Sequence, residues 1–301
     1  MHIGFVSMNT PGDIAPDILA RELEQRGFES LWVGEHPQIP VSAASSMPPA
    51  LLHAQQRILD PMMSLLAAAQ ATTGLRLGTA VALPLEHELF TFAKQVATLD
   101  QFSGGRVLLG VGVGMRAELS VSNSVAWADR YRALADMIAA LRMLWTQDEA
   151  EHHGEFYDFE PVWCHPKPQQ QPGPPMLAAA TGPKAIGDCL PWADGWLPGD
   201  AAYRDLPAAV EDFRRRAEDA GRDPATLDLT VMAWGDPSER RLARYRDLGF
   251  NRVVIGGGRR DGDDPSTTRE FLDRYAAMVD GSLTGTTAAR LRRRVPGGPA
   301  R

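Results

Sequence analysis

Short apolar runs typical of β-strands recur along the whole chain, and each is followed by a run with the periodicity of an amphipathic helix. Eight such alternations within about 280 residues match the number and length of a (β/α)8 barrel. The predicted strands are His2–Met8, Ser30–Gly34, Leu75–Leu83, Arg106–Gly114, Pro174–Ala180, Asp194–Pro198, Leu227–Trp234 and Asn251–Gly258. The sequence therefore predicts an α/β fold, a TIM barrel, whose chemistry is carried by the loops at the C-terminal ends of its strands.

Helical periodicity fills the intervals between these strands. The predicted helices are Ile14–Arg26, Asp60–Thr73, Glu88–Phe102, Ala126–Trp145, Gly182–Leu190, Leu206–Ala220, Pro237–Leu248 and Ser266–Val279. Asp60-Pro61 is a typical helix start, and Gly221 and Gly249 are typical stop signals.

Two connections are much longer than the others. His36–Leu59 follows the second strand and is rich in Pro and Ser, without helical or strand periodicity. A loop of this length in a compact fold is usually an active-site lid or a binding loop. Thr146–Gly173 precedes the fifth strand, and HGEFYDF (His153–Phe159) within it has the alternation of a short hairpin. We therefore predict a TIM barrel with insertions after strand 2 and before strand 5.

Composition indicates one large domain. Of the 301 residues, 44% are hydrophobic, which is enough to bury a sizeable core. We expect residues 1–282 to form the barrel and residues 283–301, which carry a basic run, to form a disordered tail. The formal net charge of −7 argues against nucleic acid and anionic membranes as partners.

The cysteine content and the absence of long apolar runs indicate a cellular compartment. Cys164 and Cys189 have neither motif spacing nor a secretory context, so a reduced protein is expected. The chain begins directly with a strand, and no apolar run approaches the ~18 residues of a membrane span. These features predict a cytoplasmic protein without a signal peptide or a membrane-spanning helix.

His36 is the first candidate catalytic residue. The pair Glu35-His36 follows the second strand directly, at the end of the barrel where chemistry is expected. A histidine there can donate or accept a proton near neutral pH. The alternative is a histidine that only caps the strand end through backbone hydrogen bonds.

Alternating glycines end the fourth strand, in the sequence GVGVG (Gly110–Gly114). Glycine weakens a buried strand, so its presence indicates that a ligand or another part of the backbone approaches closely. The pattern is not a dinucleotide fingerprint, because that pattern opens a helix in a Rossmann unit. Tight packing inside the barrel and ligand contact remain equal alternatives at this point.

Thr181-Gly182-Pro183 follows the fifth strand and opens a helix. Free backbone N–H groups at such a start stabilise an anion such as a cofactor phosphate, although many helix starts bind only water. The stretch Gly256–Arg260 after the eighth strand competes for the same role, because barrels often bind phosphate near strands seven and eight.

Metal and hydrolase chemistry are disfavoured. His152, His153 and His165 lie in the second insertion rather than at strand ends, and we expect His53 and His87 to be solvated. Because three converging ligands are not evident, no metal site is predicted. The chain also lacks the G-x-S-x-G nucleophile motif of many hydrolases.

Several stretches of this chain together resemble the luciferase-like monooxygenase superfamily, in particular its members that use coenzyme F420. The matching stretches, in family order up to about Val279, are SLWVGEH (Ser30–His36), LRLGTAV (Leu75–Val81), TLDQFSGGRVLLGVGVG (Thr98–Gly114), LRMLWT (Leu141–Thr146), HGEFYDF, PKP (Pro166–Pro168), PPMLAAATGPKAI (Pro174–Ile186), ADGWLP (Ala193–Pro198) and LGFNRVVIG (Leu248–Gly256). SGGR followed by GVGVG, in combination with DGWLP, is the most specific part of this set.

The resemblance implies a flavin or deazaflavin lying across the C-terminal mouth of the barrel. It identifies His36 as the active-site histidine, a proton donor and acceptor to the substrate beside the reactive ring carbon. It also implies a non-proline cis peptide bond at Ala80-Val81. The residues expected to bind the cofactor ring are Glu35, Ala80, Val81, Gly112, Val113, Gly114 and Met115, and those expected at the ribityl phosphate are Ala180, Thr181 and Gly182.

The chain departs from the family pattern after GVGVG. Many relatives carry Trp-Asn or Gly-Glu there, whereas this chain has Met115-Arg116. The sugar-phosphate dehydrogenases of the family use a Glu at this point, so Met115 argues against that substrate. The loop before the fourth helix, Leu119–Ala126, also departs from the family pattern and is rich in Ser and Val.

The leading hypothesis is a coenzyme F420-dependent oxidoreductase that moves a hydride between the cofactor and a small organic substrate under the lid His36–Leu59. The first alternative is an FMN-dependent monooxygenase supplied by a separate flavin reductase. The second is a barrel that binds the cofactor without turnover. The resemblance also implies a homodimer.

Overall fold

Parallel strands close into a barrel in the computed structural model, which describes residues 1–122, 125–257 and 265–283. The barrel strands are β1 (His2–Ser7), β2 (Ser30–Val33), β3 (Arg76–Ala82), β4 (Val107–Val111), β7 (Met176–Ala178), β8 (Gly195–Trp196), β9 (Asp228–Trp234) and β10 (Arg252–Gly257). They are hydrogen-bonded in this order, and β10 pairs with β1 to close the barrel. All eight predicted strands and the TIM-barrel fold are therefore confirmed.

Helices surround this barrel. They are α1 (Pro16–Gln25), α2 (Pro49–Gln55), α3 (Pro61–Ala71), α4 (Leu89–Ser103), α5 (Arg116–Ser122), α6 (Arg130–Thr146), α7 (Pro183–Cys189), α8 (Leu206–Asp219), α9 (Glu239–Asp247) and α10 (Pro265–Leu283). Among the described residues, no helix combines the length and apolar character needed to cross a bilayer.

The insertion after β2 contradicts one prediction. His36–Leu59 was expected to have no regular structure, but it contains a 3-10 helix (Val41–Ser46) and α2. A helix of seven residues is too short to show periodicity. The start of α2 at Pro48-Pro49 was also not recognised, because a pair of prolines is typical of a loop. Proline is nevertheless well tolerated in the first turn of a helix.

A second correction concerns the segment after β4. The sequence predicted a helix from Ala126 onward, whereas α6 begins at Arg130 and a separate short helix, α5, occupies Arg116–Ser122. Polar Arg, Glu and Ser residues make up most of α5, so it has no apolar stripe by which to recognise it.

The insertion before β7 contains the predicted hairpin. Strands β5 (Glu149–His153) and β6 (Asp158–Trp163) pair in antiparallel fashion. Asp136 of α6 holds the turn between them, because its Oδ2 accepts hydrogen bonds from the backbone N–H groups of Phe156 and Tyr157 at 2.6 and 3.0 Å.

The interior of the barrel is filled by one cluster of apolar side chains. Its members are Val6, Trp32, Leu108, Leu177, Leu197 and Val254, and all are buried. Trp32 is so close to β3 that a Cβ atom on Gly78 would lie 2.3 Å from its ring. This packing makes the barrel solid, so a ligand is confined to its mouth.

A network of charged side chains, the base network, lies at the N-terminal ends of the strands. Arg252 donates to both carboxylate oxygens of Glu29 at 2.7 Å, and it also contacts Asp228 and Thr230. Burial alone would raise the pKa of Glu29, but the hydrogen bond and charge of Arg252 outweigh it and lower that pKa. Each charge in the base network therefore has a partner.

The predicted basic tail, residues 283–301, lies outside the described residues except for residue 283. Residues 258–260 of the predicted phosphate loop also lie outside them.

Gly256, the first residue of the predicted phosphate loop, is described, and close packing explains why a glycine is needed at this position. A Cβ atom there would lie 2.6 Å from the ring of Phe5 and 2.8 Å from the carbonyl oxygen of Val6.

Candidate active site

A cavity of about 190 Å³ opens at the C-terminal ends of the barrel strands, which is where the fold predicts chemistry. It is lined by Val6, Ser7, Met8, Gly34, Glu35, His36, Gln55, Ile58, Ala80, Val81, Leu83, Gly114, Met115, Met232 and Trp234. We call it the mouth cavity. Its walls come from the ends of β1, β2, β3 and β9, from the segment after β4, and from the insertion after β2.

The floor of the mouth cavity includes the end of β3. The pairing between β3 and β4 is interrupted between Thr79 and Ala82, so Ala80 and Val81 leave the regular ladder. The Ala80–Val81 peptide bond is cis, as the resemblance implies. Both side chains are half-buried and pack on the interior cluster of the barrel.

Glycines allow this close packing. A Cβ atom on Gly112 would lie 2.6 Å from a methyl group of Val81, and one on Gly110 would lie 2.2 Å from the carbonyl oxygen of Thr79. The interpretation of GVGVG as a tightly packed strand therefore holds for these two glycines. Gly114 differs from them, because it lines the mouth cavity itself and has a φ of 65°.

His36 is held by a buried carboxylate that the sequence did not reveal. Its Nδ1 lies 2.5 Å from Oε1 of Glu118, a side chain on α5 with no exposed surface. The other carboxylate oxygen of Glu118 accepts a hydrogen bond from the backbone N–H of Met115 at 2.8 Å. A carboxylate at Nδ1 fixes the proton on that nitrogen and leaves Nε2 available for proton exchange.

Glu35 belongs to a second pair of an imidazole and a carboxylate. One of its oxygens lies 2.6 Å from Nε2 of His87, and the other accepts a hydrogen bond from the backbone N–H of Leu83, also at 2.6 Å. Burial alone would lower the pKa of His87, but the hydrogen bond and charge of Glu35 raise it above its ordinary value. The prediction that His87 is solvated is wrong, since its side chain is largely buried against Glu35.

Glu86 completes a cluster of acidic groups beside the mouth cavity. Burial and the negative charges of Glu118 and Glu35 raise its pKa, despite a hydrogen bond from Ser122 and the charge of His87. Its Oε1 is buried and has no hydrogen-bond partner. In the described parts of the chain, no group of three His, Cys, Asp or Glu side chains has a geometry that would hold a metal ion.

The residues predicted to bind phosphate line a different, more open groove. Thr181 and Gly182 lie there with Arg130, Arg132 and Lys184. Gly182 precedes α7 with a φ of 87°, and there is open space where its Cβ atom would be. Nε of Arg130 is buried in this region without a hydrogen-bond partner. We call it the basic groove. Lys184 is paired with Asp188, which also lines the groove, and Arg132 is paired with Asp129 and Glu155, so the charge available to an anion is that of Arg130.

The predicted site residues thus fall into three sets. Glu35, His36, Ala80, Val81, Gly114 and Met115 line the mouth cavity. Thr181 and Gly182 line the basic groove. Gly112 and Ala180 are buried, and Val113 is half-buried against the main core.

Sequence reasoning missed three residues of this region: Glu118, His87 and Gln55. Glu118 follows Gly114 by four residues, and a glutamate in the first turn of a helix at a strand end is a signal that could have identified it. The pairing of Glu35 with His87 left no local signal, because the two residues are 52 positions apart.

Comparison with known proteins agrees with this architecture. The family model described as luciferase-like monooxygenase matches residues 18–293 of the chain. The protein belongs to the luciferase-like monooxygenase family. Members of this family are oxidoreductases and monooxygenases.

Relatives within the luciferase-like family differ in their cofactors. An uncharacterized protein of Mycobacterium tuberculosis (strain ATCC 25618 / H37Rv) is 38% identical over 288 residues, which cover 93% of this chain and 99% of that protein. An F420-dependent hydroxymycolic acid dehydrogenase of the same strain is 27% identical over 74% of this chain and 60% of its own length. An FMNH2-dependent dimethylsulfone monooxygenase of Pseudomonas putida is 33% identical over 42% of this chain and 35% of its own length.

Solved structures share the luciferase-like barrel. The monooxygenase RslO1 from Streptomyces bottropensis superimposes with a TM-score of 0.77 at 17% identity, covering 94% of this chain and 100% of that chain. The coenzyme F420-dependent tetrahydromethanopterin reductase from Methanopyrus kandleri gives a TM-score of 0.71 at 17% identity, with coverages of 93% and 99%. At this level of identity the likeness shows the fold alone.

Proposed function

We propose that the protein is a coenzyme F420-dependent oxidoreductase that moves a hydride between the deazaflavin and a small organic substrate. The observation that carries the proposal is that His36, paired with buried Glu118, and the Ala80–Val81 segment line the same cavity. A proton-transfer group and a flat platform for a ring are the two parts that such a reaction needs from the protein.

The residues of the mouth fit a tricyclic cofactor ring. Ala80 and Val81 offer an apolar platform, and Gly34 and Gly114 line the cavity beside it. Glu35 and Met115 complete the lining of the proposed ring site, and Gly112 is packed beneath Val81. Val113, which packs on the main core, stays a predicted ring contact. Beyond the ring, Ala180, Thr181 and Gly182 would hold the ribityl phosphate, where the positive charge of the basic groove favours an anion.

When bound, the deazaflavin supplies the hydride chemistry. The chain supplies the proton transfer: Nε2 of His36 takes the hydroxyl proton when an alcohol is oxidised and returns it when a carbonyl is reduced. Glu118 holds the imidazole in the required orientation and tautomer. The insertion His36–Leu59 forms one side of the mouth cavity through Gln55 and Ile58, and so limits the access of water.

An FMN-dependent monooxygenase is the second candidate, because the Pseudomonas putida relative that matches part of this chain is FMNH2-dependent. In that case a separate flavin reductase would supply the reduced cofactor. A barrel that binds the cofactor without turnover is the third candidate. A single domain over residues 1–282, a homodimer and a cytoplasmic location remain predictions.

The decisive experiment incubates the purified protein with F420 and with FMN in turn. We expect F420 to bind and to change its redox state with a panel of small alcohols and ketones. His36→Ala should lower turnover by about 100-fold or more, with unchanged cofactor affinity. His53→Ala is the matched control, because His53 is exposed on α2.

Three outcomes would contradict the proposal. Tight FMN binding with oxygen consumption would favour the monooxygenase. Binding of F420 without turnover of any panel compound would favour the non-catalytic barrel. Full activity of His36→Ala would remove this histidine from the mechanism.

A further inference from the structure

The polar side chains of the mouth cavity differ in whether their hydrogen-bonding capacity is already used. Both carboxylate oxygens of Glu35 accept hydrogen bonds from His87 or from the backbone. Oγ of Ser7 accepts one from the backbone N–H of Asn9 at 3.0 Å. Among the described lining residues, Oε1 of Gln55 is a buried side-chain acceptor without a hydrogen-bond partner, and Nε2 of His36 is the imidazole nitrogen that Glu118 does not hold.

Gln55 is held in place by ordered structure. It is the last residue of α2, and the segment after it is anchored to the barrel by two hydrogen bonds between Asn9 and Leu59, at 2.8 and 3.2 Å. Its Oε1 is buried, yet it accepts no hydrogen bond. Such an orphaned acceptor is costly, so a ligand that donates a hydrogen bond to it would gain affinity.

The remaining walls of the cavity are apolar. Met8, Ile58, Met115, Met232 and Trp234 line the same cavity as Gln55 and His36. None of the lining residues that the structure describes is a Lys or an Arg. Glu35 is already held by His87 and by the backbone N–H of Leu83, and the lining offers no cation to pair with an anion, so it favours an uncharged ligand.

We propose that Gln55 is a specificity-determining residue of the substrate site. The substrate class is a small, uncharged, largely apolar compound with two hydrogen-bond donors. Its reacting hydroxyl group donates to Nε2 of His36, and a second O–H or N–H group donates to Oε1 of Gln55. This inference rests on the proposed function only for the role of His36.

The inference is tested by binding rather than by turnover. The probes are cyclohexane-1,2-diol, -1,3-diol and -1,4-diol, each compared with its monomethyl ether, which has one donor fewer. Binding is followed by calorimetry and by tryptophan fluorescence, since Trp234 lines the cavity. The full-length protein should bind at least one diol about tenfold more tightly than the corresponding ether.

Three variants separate specificity from folding. Gln55→Met, which has a similar size but no acceptor amide, should lose the preference for the diol. Gln55→Glu keeps an acceptor oxygen and should keep the preference. Gln56→Met changes the neighbouring exposed glutamine and should behave as the unsubstituted protein. Circular dichroism and thermal melting report whether each variant is folded.

Equal affinity for each diol and its ether in the unsubstituted protein would overturn the inference, and so would a preference that survives Gln55→Met. The same samples are titrated with F420. A diol preference without F420 binding would leave the substrate site intact and contradict the proposed function. F420 binding and turnover without any diol preference would support the proposed function and contradict the role of Gln55.

Discussion

The two ends of the barrel use buried charge in opposite ways. At the N-terminal ends of the strands, Arg252 satisfies Glu29 and Asp228 directly, and every charge of the base network has a partner. At the mouth, acidic groups are crowded together, and two buried acceptors, Oε1 of Gln55 and Oε1 of Glu86, have none. The difference indicates that the base was shaped for stability and the mouth for a ligand.

The largest expected effect of a substitution is a loss of stability in the base network. Arg252→Met should lower the free energy of unfolding by about 3 kcal/mol, because Glu29 loses both hydrogen bonds from the buried guanidinium and keeps only the neighbouring charge of Arg76. Chemical denaturation measures this loss, and the folded fraction should keep its cofactor affinity. Arg240→Met, on the exposed face of α9, serves as the control. A loss below 1 kcal/mol would show that the base network is not important for stability.

The base network also predicts a dependence on acid. The pKa of Glu29 is lower in the folded chain than in the unfolded chain. Its contribution to stability is therefore present above the ordinary glutamate pKa and is lost as pH falls through the lowered value. The stability difference between the unsubstituted protein and Arg252→Met should shrink in that acidic window. A stability difference that stays constant with pH would contradict the claim that Arg252 lowers the pKa of Glu29.

At the mouth, the largest expected effect is on rate. Glu118→Gln should lower turnover by about 100-fold while the affinity for the cofactor stays the same, because the imidazole of His36 loses its carboxylate partner. Glu118→Asp should recover part of the rate. Glu211→Gln on the exposed surface of α8 is the control. If Glu118→Gln changes stability but leaves turnover unaltered, its role is structural only.

The smallest effect concerns Glu86. Its pKa is higher in the folded chain than in the unfolded chain, so the protonated carboxyl group contributes stability in acid. That contribution is lost as pH rises through the raised value. Glu86→Gln should therefore increase stability near neutral pH, by about 0.5 kcal/mol. The gain should fall as pH approaches the ordinary glutamate range. Thermal melting at several pH values measures it, and destabilisation at neutral pH would contradict it.

The barrel could be predicted from sequence because its signals are local. The strand runs and the helix start Asp60-Pro61 each depend on a few neighbouring residues, and in the structure Asp60 accepts a hydrogen bond from the backbone N–H of Met63. The location of His36 at the barrel mouth was predictable because this residue directly follows the second predicted strand. Helix α2 was missed because seven residues show too little periodicity.

The partners of the site residues could not be predicted in this way. The contact between His36 and Glu118 joins the segment after β2 to α5 across 82 positions of the chain, and only the folded barrel brings them together. The same is true of Gln55, whose unsatisfied oxygen is a property of the cavity rather than of the sequence around it.

The central claim is that the mouth cavity binds a deazaflavin ring beside His36. It is tested most directly by a crystal structure of the protein soaked with oxidised F420. We predict electron density for the ring against Ala80 and Val81, with its reactive carbon facing Nε2 of His36. A mouth cavity that contains only solvent, in crystals grown from protein that shows no calorimetric heat with F420 or FMN, would contradict the account.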